Sequence, residues 1–291
     1  MESALTPSPS SSAASHLAIA FIGGGNMARS LIGGLLRGGT APDRVRVGEP
    51  GASLAAALRQ DFGVAASADN LAAIDGASAW VLSVKPQVMK EVCEALRDAA
   101  QAHRPLVISV AAGIRCAQID GWLGGGIAVV RCMPNTPALI GAGASGLFAN
   151  AIVDAQQRAL AESILNAAGI VAWVDDEALM DTVTAISGSG PAYFFLLVEA
   201  LEDAAVAQGM ARSAARVLAA QTCLGAGRML SESGAAPADL RLRVTSPNGT
   251  TQAALDSFAA DRFADIVTRA VAAATRRGRE LSAQFDDTDQ H

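Results

Sequence analysis

Three groups of residues have the types and spacing to do chemistry. The first is Gly23, Gly25 and Ala28, spaced G-x-G-x-x-A after the apolar run Leu17–Ile22 and before the amphipathic stretch Met27–Leu36. Gly23 permits a sharp turn, Gly25 lets a phosphate approach the backbone, and Ala28 lets a helix pack closely on a strand. The helix N-terminus, with Asn26 as its expected cap, offers unpaired N–H groups and a positive dipole end to a pyrophosphate. The second group is Ser187-Gly188-Ser189-Gly190-Pro191, with Pro191 expected at the first helical position. The third is Ser246-Pro247-Asn248-Gly249-Thr250-Thr251. Each precedes a helical pattern, and in the third the glycine and hydroxyl residues at the helix start build a carboxylate seat from backbone N–H groups. A plain capped turn has the same composition, so on chemistry alone both readings stand.

Other residues could complete a dinucleotide site. Glu49 lies about 20 residues after Ala28, at the end of the second strand, where an acid can bind both ribose hydroxyls and repel a 2′-phosphate. That favours NAD(H); the alternative is a solvated charge at a strand end. Lys85-Pro86 follows the fourth strand, on the side where an open α/β sheet binds ligands. Ala111-Ala112-Gly113 ends the next strand, and its small side chains leave space for a nicotinamide ring. The loop Met133–Pro137 is stiffened by two prolines and presents Asn135 as donor and acceptor. Lys85 and Lys90 are the only lysines, and His16, His103 and His291 the only histidines. Alcohol or ketone redox chemistry usually needs a positioned proton donor of that kind, and the second half of the chain has neither a lysine nor an internal histidine.

The elements that must position these residues follow from periodicity. From Leu17 strands alternate with helices: strands at Val45–Gly48, Val64–Ala66, Ala79–Val84, Leu106–Val110 and Ile127–Arg131, then Ala144–Phe148 and Ile170–Val174 as edge strands. Helices are expected at Leu54–Phe62, Asn70–Ile74, Pro86–Ala100, Arg115–Leu123 and Asp154–Ala167, which makes a doubly wound α/β domain over residues 16–176. Residues 177–281 read as helices only: Ala178–Ile186, Pro191–Gln208, Ser213–Ser231 and Gln252–Glu280, the last divided near Asp261. Several are apolar almost all round, and so small a domain cannot cover them alone, so homodimerisation is expected. Residues 1–15 and 282–291 read as disordered tails. Trp80, Trp122, Trp173 and Tyr193 read as core. Cys93, Cys116, Cys132 and Cys223, with no C-x-x-C, read as reduced thiols rather than disulfides or metal ligands. The net charge is −6 and no basic stripe is present, against a nucleic-acid surface. The uncharged runs Cys132–Val153 and Thr182–Val198 are broken by Gly, Pro and polar residues, against a membrane span. The N-terminus lacks a secretory pattern.

The segments FIGGGNMA, VLSVKPQ, RCMPNTPALIGAG, AISGSGPAYFFLLVEAL and TSPNGTTQAAL, in this order, resemble the Δ1-pyrroline-5-carboxylate reductase family from about Leu17 to the last helices. The resemblance implies a Rossmann-type doubly wound sheet followed by an all-α dimerisation domain. It implies a cytoplasmic enzyme that reduces a cyclic imine to L-proline, the last step of proline biosynthesis, with NADPH or NADH. It also implies a homodimer that assembles further, up to a pentamer of dimers. Carried over by position, it puts Gly23, Gly25, Asn26 and Met27 on the cofactor phosphates and Asn70 near the adenosine end. Val84, Lys85, Pro86 and Ala111–Gly113 fall along the cofactor cleft. Ser246, Gly249 and Thr250 would hold the substrate carboxylate, and Thr251 would hydrogen-bond the ring nitrogen as the catalytic residue. Asn248 stands where the family commonly has glycine, and asparagine tolerates the left-handed backbone. The rival β-hydroxyacid dehydrogenase reading wants a lysine in the helical half, and none is there. The other rival is a non-catalytic NAD(P)-binding or scaffold protein, which the intact glycine and hydroxyl clusters speak against.

Overall fold

The structure, a computed structural model, describes residues 17–286. These fall into two compact units: the chain up to Gly188 together with the segment from Thr275, and Ser189–Ala274. The expected tail at 1–15 lies outside the described residues.

The first unit is built on an eight-stranded sheet of order β3-β2-β1-β4-β5-β6-β7-β8. The strands are β1 (Ile19–Ile22), β2 (Val45–Gly48), β3 (Ala65–Ser67), β4 (Ala79–Leu82), β5 (Leu106–Ser109), β6 (Ala128–Met133), β7 (Gly143–Ala149) and β8 (Gly169–Trp173). All neighbours are parallel except β6 and β7. β7 lies between β6 and β8, so the expectation that both are edge strands is corrected: of the two, β8 alone is an edge, β3 being the other edge of the sheet. The helices are α1 (Asn26–Arg37), α2 (Ala52–Phe62), α3 (Asn70–Ile74), α4 (Pro86–His103), α5 (Cys116–Trp122) and α6 (Ala155–Asn166). Along β1 the side chains alternate between two cores. Ile19 and Phe21 pack with Leu31, Ile32 and Leu58 on one face, and Ala20 and Ile22 with Trp80, Met89 and Leu96 on the other. A sheet buried on both faces is what uncharged strands predict, and this is the Rossmann-type doubly wound arrangement. Chain order reverses between β1 and β4, and an open α/β sheet binds ligands beyond the strand ends at such a point.

Beyond β8 the chain is helical. The expected helix Ala178–Ile186 is instead a 3₁₀ turn (Glu177–Leu179), a short helix α7 (Met180–Val183) and a π turn (Thr184–Gly188). Buried Arg131 fixes its start: Glu177 Oε1 accepts from Arg131 at 3.3 Å and from the Cys116 amide at 2.8 Å. The second unit holds α8 (Gly190–Ala207), α9 (Arg212–Glu232), α10 (Pro237–Arg243), α11 (Thr250–Ala260) and the start of α12 (Phe263–Asp286). α8 starts one residue early, so Pro191 is its second residue. α12 runs on past Ser282 with the first unit, so residues 282–286 are helical and only 287–291 lie outside the described residues. The stretch Glu177–Ala207 has the length and mean hydropathy, 1.2, of a membrane-crossing helix, with 11% of that window buried. The 3₁₀ and π turns interrupt it, and the exposed face of α8 carries Phe194, Phe195 and Leu196. Tyr193 is exposed there too, a correction to its reading as core. Cys93, Cys116 and Cys132 are buried free thiols, pushed up to about 12 by desolvation; Cys223 is free and half-buried.

Candidate functional site

The turn after β1 is the first part of the site. Gly23 has φ +96°, and a Cβ on it would stand 2.8 Å from the Ser83 carbonyl oxygen. Both the left-handed backbone and the close approach to the end of β4 therefore require glycine. Gly25 is the opposite case: a Cβ there would meet nothing within 4 Å, so its face is open. Gly25 is the N-cap of α1 and no side chain caps the helix. Asn26 is thus the exposed first residue of α1 rather than its cap, which leaves the first-turn N–H groups for a ligand. Met27 is half-buried against the core and Ala28 is fully buried.

Around that turn the strand ends carry polar atoms that want partners. Asn70 Oδ1 and Ser83 Oγ are buried with no hydrogen-bond partner among the described residues. Asn70 lies over Gly48, where any side chain would collide with its amide. Orphaned buried oxygens are rare in finished protein interiors and call for a water, an ion or a ligand group to complete them. Ser83 was missed by motif reading; its signal was a lone hydroxyl in the apolar run that ends β4. Val84 packs beside Gly23, Lys85 is exposed at the N-cap of α4, and Pro86 opens that helix. Ala111 is buried and Ala112 exposed; Gly113 has φ +84° and lies against Phe285 and Ser282 of α12. An open helix N-terminus, orphaned oxygens at strand ends and a small-residue loop after β5 fit a dinucleotide in the crevice.

Two expected cofactor residues have other partners. Glu49 is 8% exposed, with Oε2 accepting from the Gly24 amide at 2.8 Å and Oε1 from the Gly51 amide at 2.7 Å. It is therefore not a solvated charge at a strand end, and two backbone amides share its carboxylate. Asn135 likewise has backbone partners. Its Nδ2 donates to the Ser187 carbonyl at 3.0 Å and its Oδ1 accepts from the Ala144 amide at 2.9 Å. Its amide clasps the π turn to the start of β7, because both of those backbone groups need a partner.

The second unit carries the other cluster. The Gly249 amide donates to the Ser246 carbonyl at 3.0 Å, closing a turn in which Asn248 has φ +60°. Asparagine here occupies the left-handed region that glycine would. Gly249 is the N-cap of α11, no side chain caps it, and Thr250 and Thr251 are its first two residues. Ser246 and Thr250 are exposed, and Thr251 is half-buried with its hydroxyl unbonded among the described residues. The turn is an anion seat of N–H groups with one hydroxyl beside it.

Residues 177–281 match the family described as pyrroline-5-carboxylate reductase dimerisation. Residues 18–113 match a family described as NADP oxidoreductase, coenzyme F420-dependent. A pyrroline-5-carboxylate reductase of Pseudomonas aeruginosa is 52% identical over 267 residues, covering 92% of this chain and 97% of the relative. The chain belongs to the pyrroline-5-carboxylate reductase family. Among solved structures, the pyrroline-5-carboxylate reductase of Coxiella burnetii superposes with TM-score 0.89 at 43% identity, covering 91% of this chain and 98% of its own. The Plasmodium falciparum pyrroline carboxylate reductase, solved with NADP bound, gives TM-score 0.78 at 27% identity, covering 92% and 99%. Membership of the pyrroline-5-carboxylate reductase family accounts for both clusters, one in each unit. The dimerisation match accounts for the bare apolar face of α8, which belongs in a homo-oligomer.

Proposed function

We propose that this chain reduces Δ1-pyrroline-5-carboxylate to L-proline with NAD(P)H, closing proline biosynthesis in the cytoplasm. The observation that carries the reading is the Ser246–Thr251 turn, with its left-handed Asn248 and uncapped helix start, in a chain that also has an open glycine turn. Gly23, Gly25, Asn26 and Met27 hold the cofactor phosphates, Asn70 the adenosine end, and Val84–Pro86 and Ala111–Gly113 the cleft toward the nicotinamide. When bound, the reduced nicotinamide supplies the hydride. Backbone N–H groups of Gly249 and Thr250, beside Ser246, hold the substrate carboxylate, and the Thr251 hydroxyl bonds the ring nitrogen. A cyclic imine arrives protonated, or takes its proton from water or Thr251, so the scarcity of lysine and histidine costs nothing. The protein's work is alignment and exclusion of water. The functional division is a nucleotide domain over 16–176 and a helical domain over 177–281. The homodimer forms through the helical domain and assembles into a pentamer of dimers, with no nucleic-acid or membrane partner.

The experiment is turnover of pyrroline-5-carboxylate by purified protein with NADPH and with NADH. Oxidation of cofactor with formation of proline is expected; no oxidation of either rejects the reading.

A further inference from the structure

Among the described residues Glu49 is the one buried carboxylate beside the glycine turn, and its two oxygens are shared between two loops. Oε2 accepts from the Gly24 amide and Oε1 from the Gly51 amide, at 2.8 and 2.7 Å. The backbone of Glu49 is held as well, its amide donating to the Ser67 carbonyl at 2.7 Å. Leu58 of α2 closes the space above Gly24: a Cβ there would stand 2.6 Å from Leu58 Cδ1 and 3.2 Å from Glu49 Oε2. This explains a residue to which the G-x-G-x-x-A spacing assigns no role. Gly24 is glycine so that the carboxylate can reach its amide under an apolar lid. A buried carboxylate needs charge-assisted donors, and here both are backbone N–H groups of the loops that flank the nucleotide crevice.

We propose that Glu49 is a positioning residue for the cofactor: it ties the pyrophosphate turn at Gly24 to the strand-end loop at Gly51, and does not read the ribose. An acid at the end of the second strand of such a fold ordinarily selects against a 2′-phosphate by facing the ribose. A carboxylate turned inward onto two amides is withheld from that task, so the site accepts either cofactor. This rests on the reductase reading.

The test is steady-state kinetics of Glu49→Gln with both cofactors. The amide keeps the volume, but its NH₂ faces one of the two N–H donors, so one tie is lost. The KM values for NADPH and NADH are expected to rise together, by about 5- to 20-fold, the loss of a charge-assisted bond. The NADPH-to-NADH ratio of kcat/KM stays within about 2-fold, and the KM for the imine does not move. A purely structural role would lower the melting temperature without separating the cofactor KM from the imine KM. A shift of the ratio toward NADPH by about 5-fold or more would make Glu49 the ribose-reading acid and overturn the proposal, as would unchanged cofactor KM values. If E49Q is unstable, Glu49→Asp keeps the charge and shortens the reach; parallel KM increases support the tie, and a ratio shifted by about 5-fold or more in either direction overturns it. Wild-type protein run alongside separates the two claims: no turnover removes the function, whereas turnover with an unchanged variant removes only the tie.

Discussion

Thr251 has its hydroxyl unbonded in the first turn of α11, beside amides that have no intrahelical acceptor. Its proposed role is a single contact to a nitrogen whose charge changes as hydride arrives. Thr251→Ala is therefore expected to lower kcat by about 10- to 1000-fold, the range for a lost transition-state donor, with the fold intact by circular dichroism. An unchanged kcat takes Thr251 out of the mechanism. Single residues are also where sequence reading was weakest. Gly23 and Gly25 were legible because their demands are local: a positive φ and an open face. Glu49 and Asn135 are read by position alone, yet each also bonds a backbone group far along the chain, 25 and 52 residues away. No spacing rule encodes a side chain that bonds to a distant backbone amide or carbonyl.

At the scale of elements, the hairpin of α8 and α9 is joined by charge. Glu202, buried at the contact, accepts from Arg216 at 3.0 Å on each oxygen and from Arg212 at 2.9 Å, and the two guanidinium groups hold its carboxyl below the usual range. A depressed folded pKa means that the stabilisation is present above the unfolded value, about 4.3, and is lost as pH falls through the folded value. Melting temperature followed from pH 6 down to pH 3 should fall along an acid limb to which Glu202 contributes. Glu202→Gln should melt lower at pH 6 and show a shallower limb; an identical limb in the variant refutes the role. The eight strands are readable because apolar three- to seven-residue runs, charged only at Arg46 and Arg131, sit between turn signals. α10 was not: Asp239, Arg241 and Arg243 break any apolar period and only Leu240 is buried. The π turn at Thr184–Gly188 is not legible: Thr184–Ile186 reads as plain helix and Ser187-Gly188 as part of the cluster before the next one, while the Ser187 carbonyl accepts from Asn135, outside the segment.

At the scale of the whole molecule, the apolar residues left uncovered matter most. In the helical unit Phe194, Phe195, Leu196, Val217 and Leu218 are all more than half exposed, while Ala215 and Leu240 are its only buried apolar side chains. A unit with so little core of its own depends on a second copy. Phe195→Glu tests this. Were Phe195 a true surface residue, the change would cost within about 0.5 kcal/mol. Covered by a partner, it should instead shift the sedimentation profile toward monomer and lower the melting temperature. An unchanged assembly would place the interface elsewhere.

The left-handed Asn248 also bears on how the protein ages. Asparagine before glycine can cyclise: the Gly249 nitrogen attacks the side-chain carbonyl carbon, ammonia leaves, and water opens the ring to aspartate or isoaspartate. In the folded turn that nitrogen is committed to the Ser246 carbonyl at 3.0 Å, which holds it away from the reaction. Any condition that loosens the turn, such as warm alkaline storage, releases it. The product is a new negative charge at the uncapped start of α11, so old preparations turn more acidic, and the proposed seat for a carboxylate repels it.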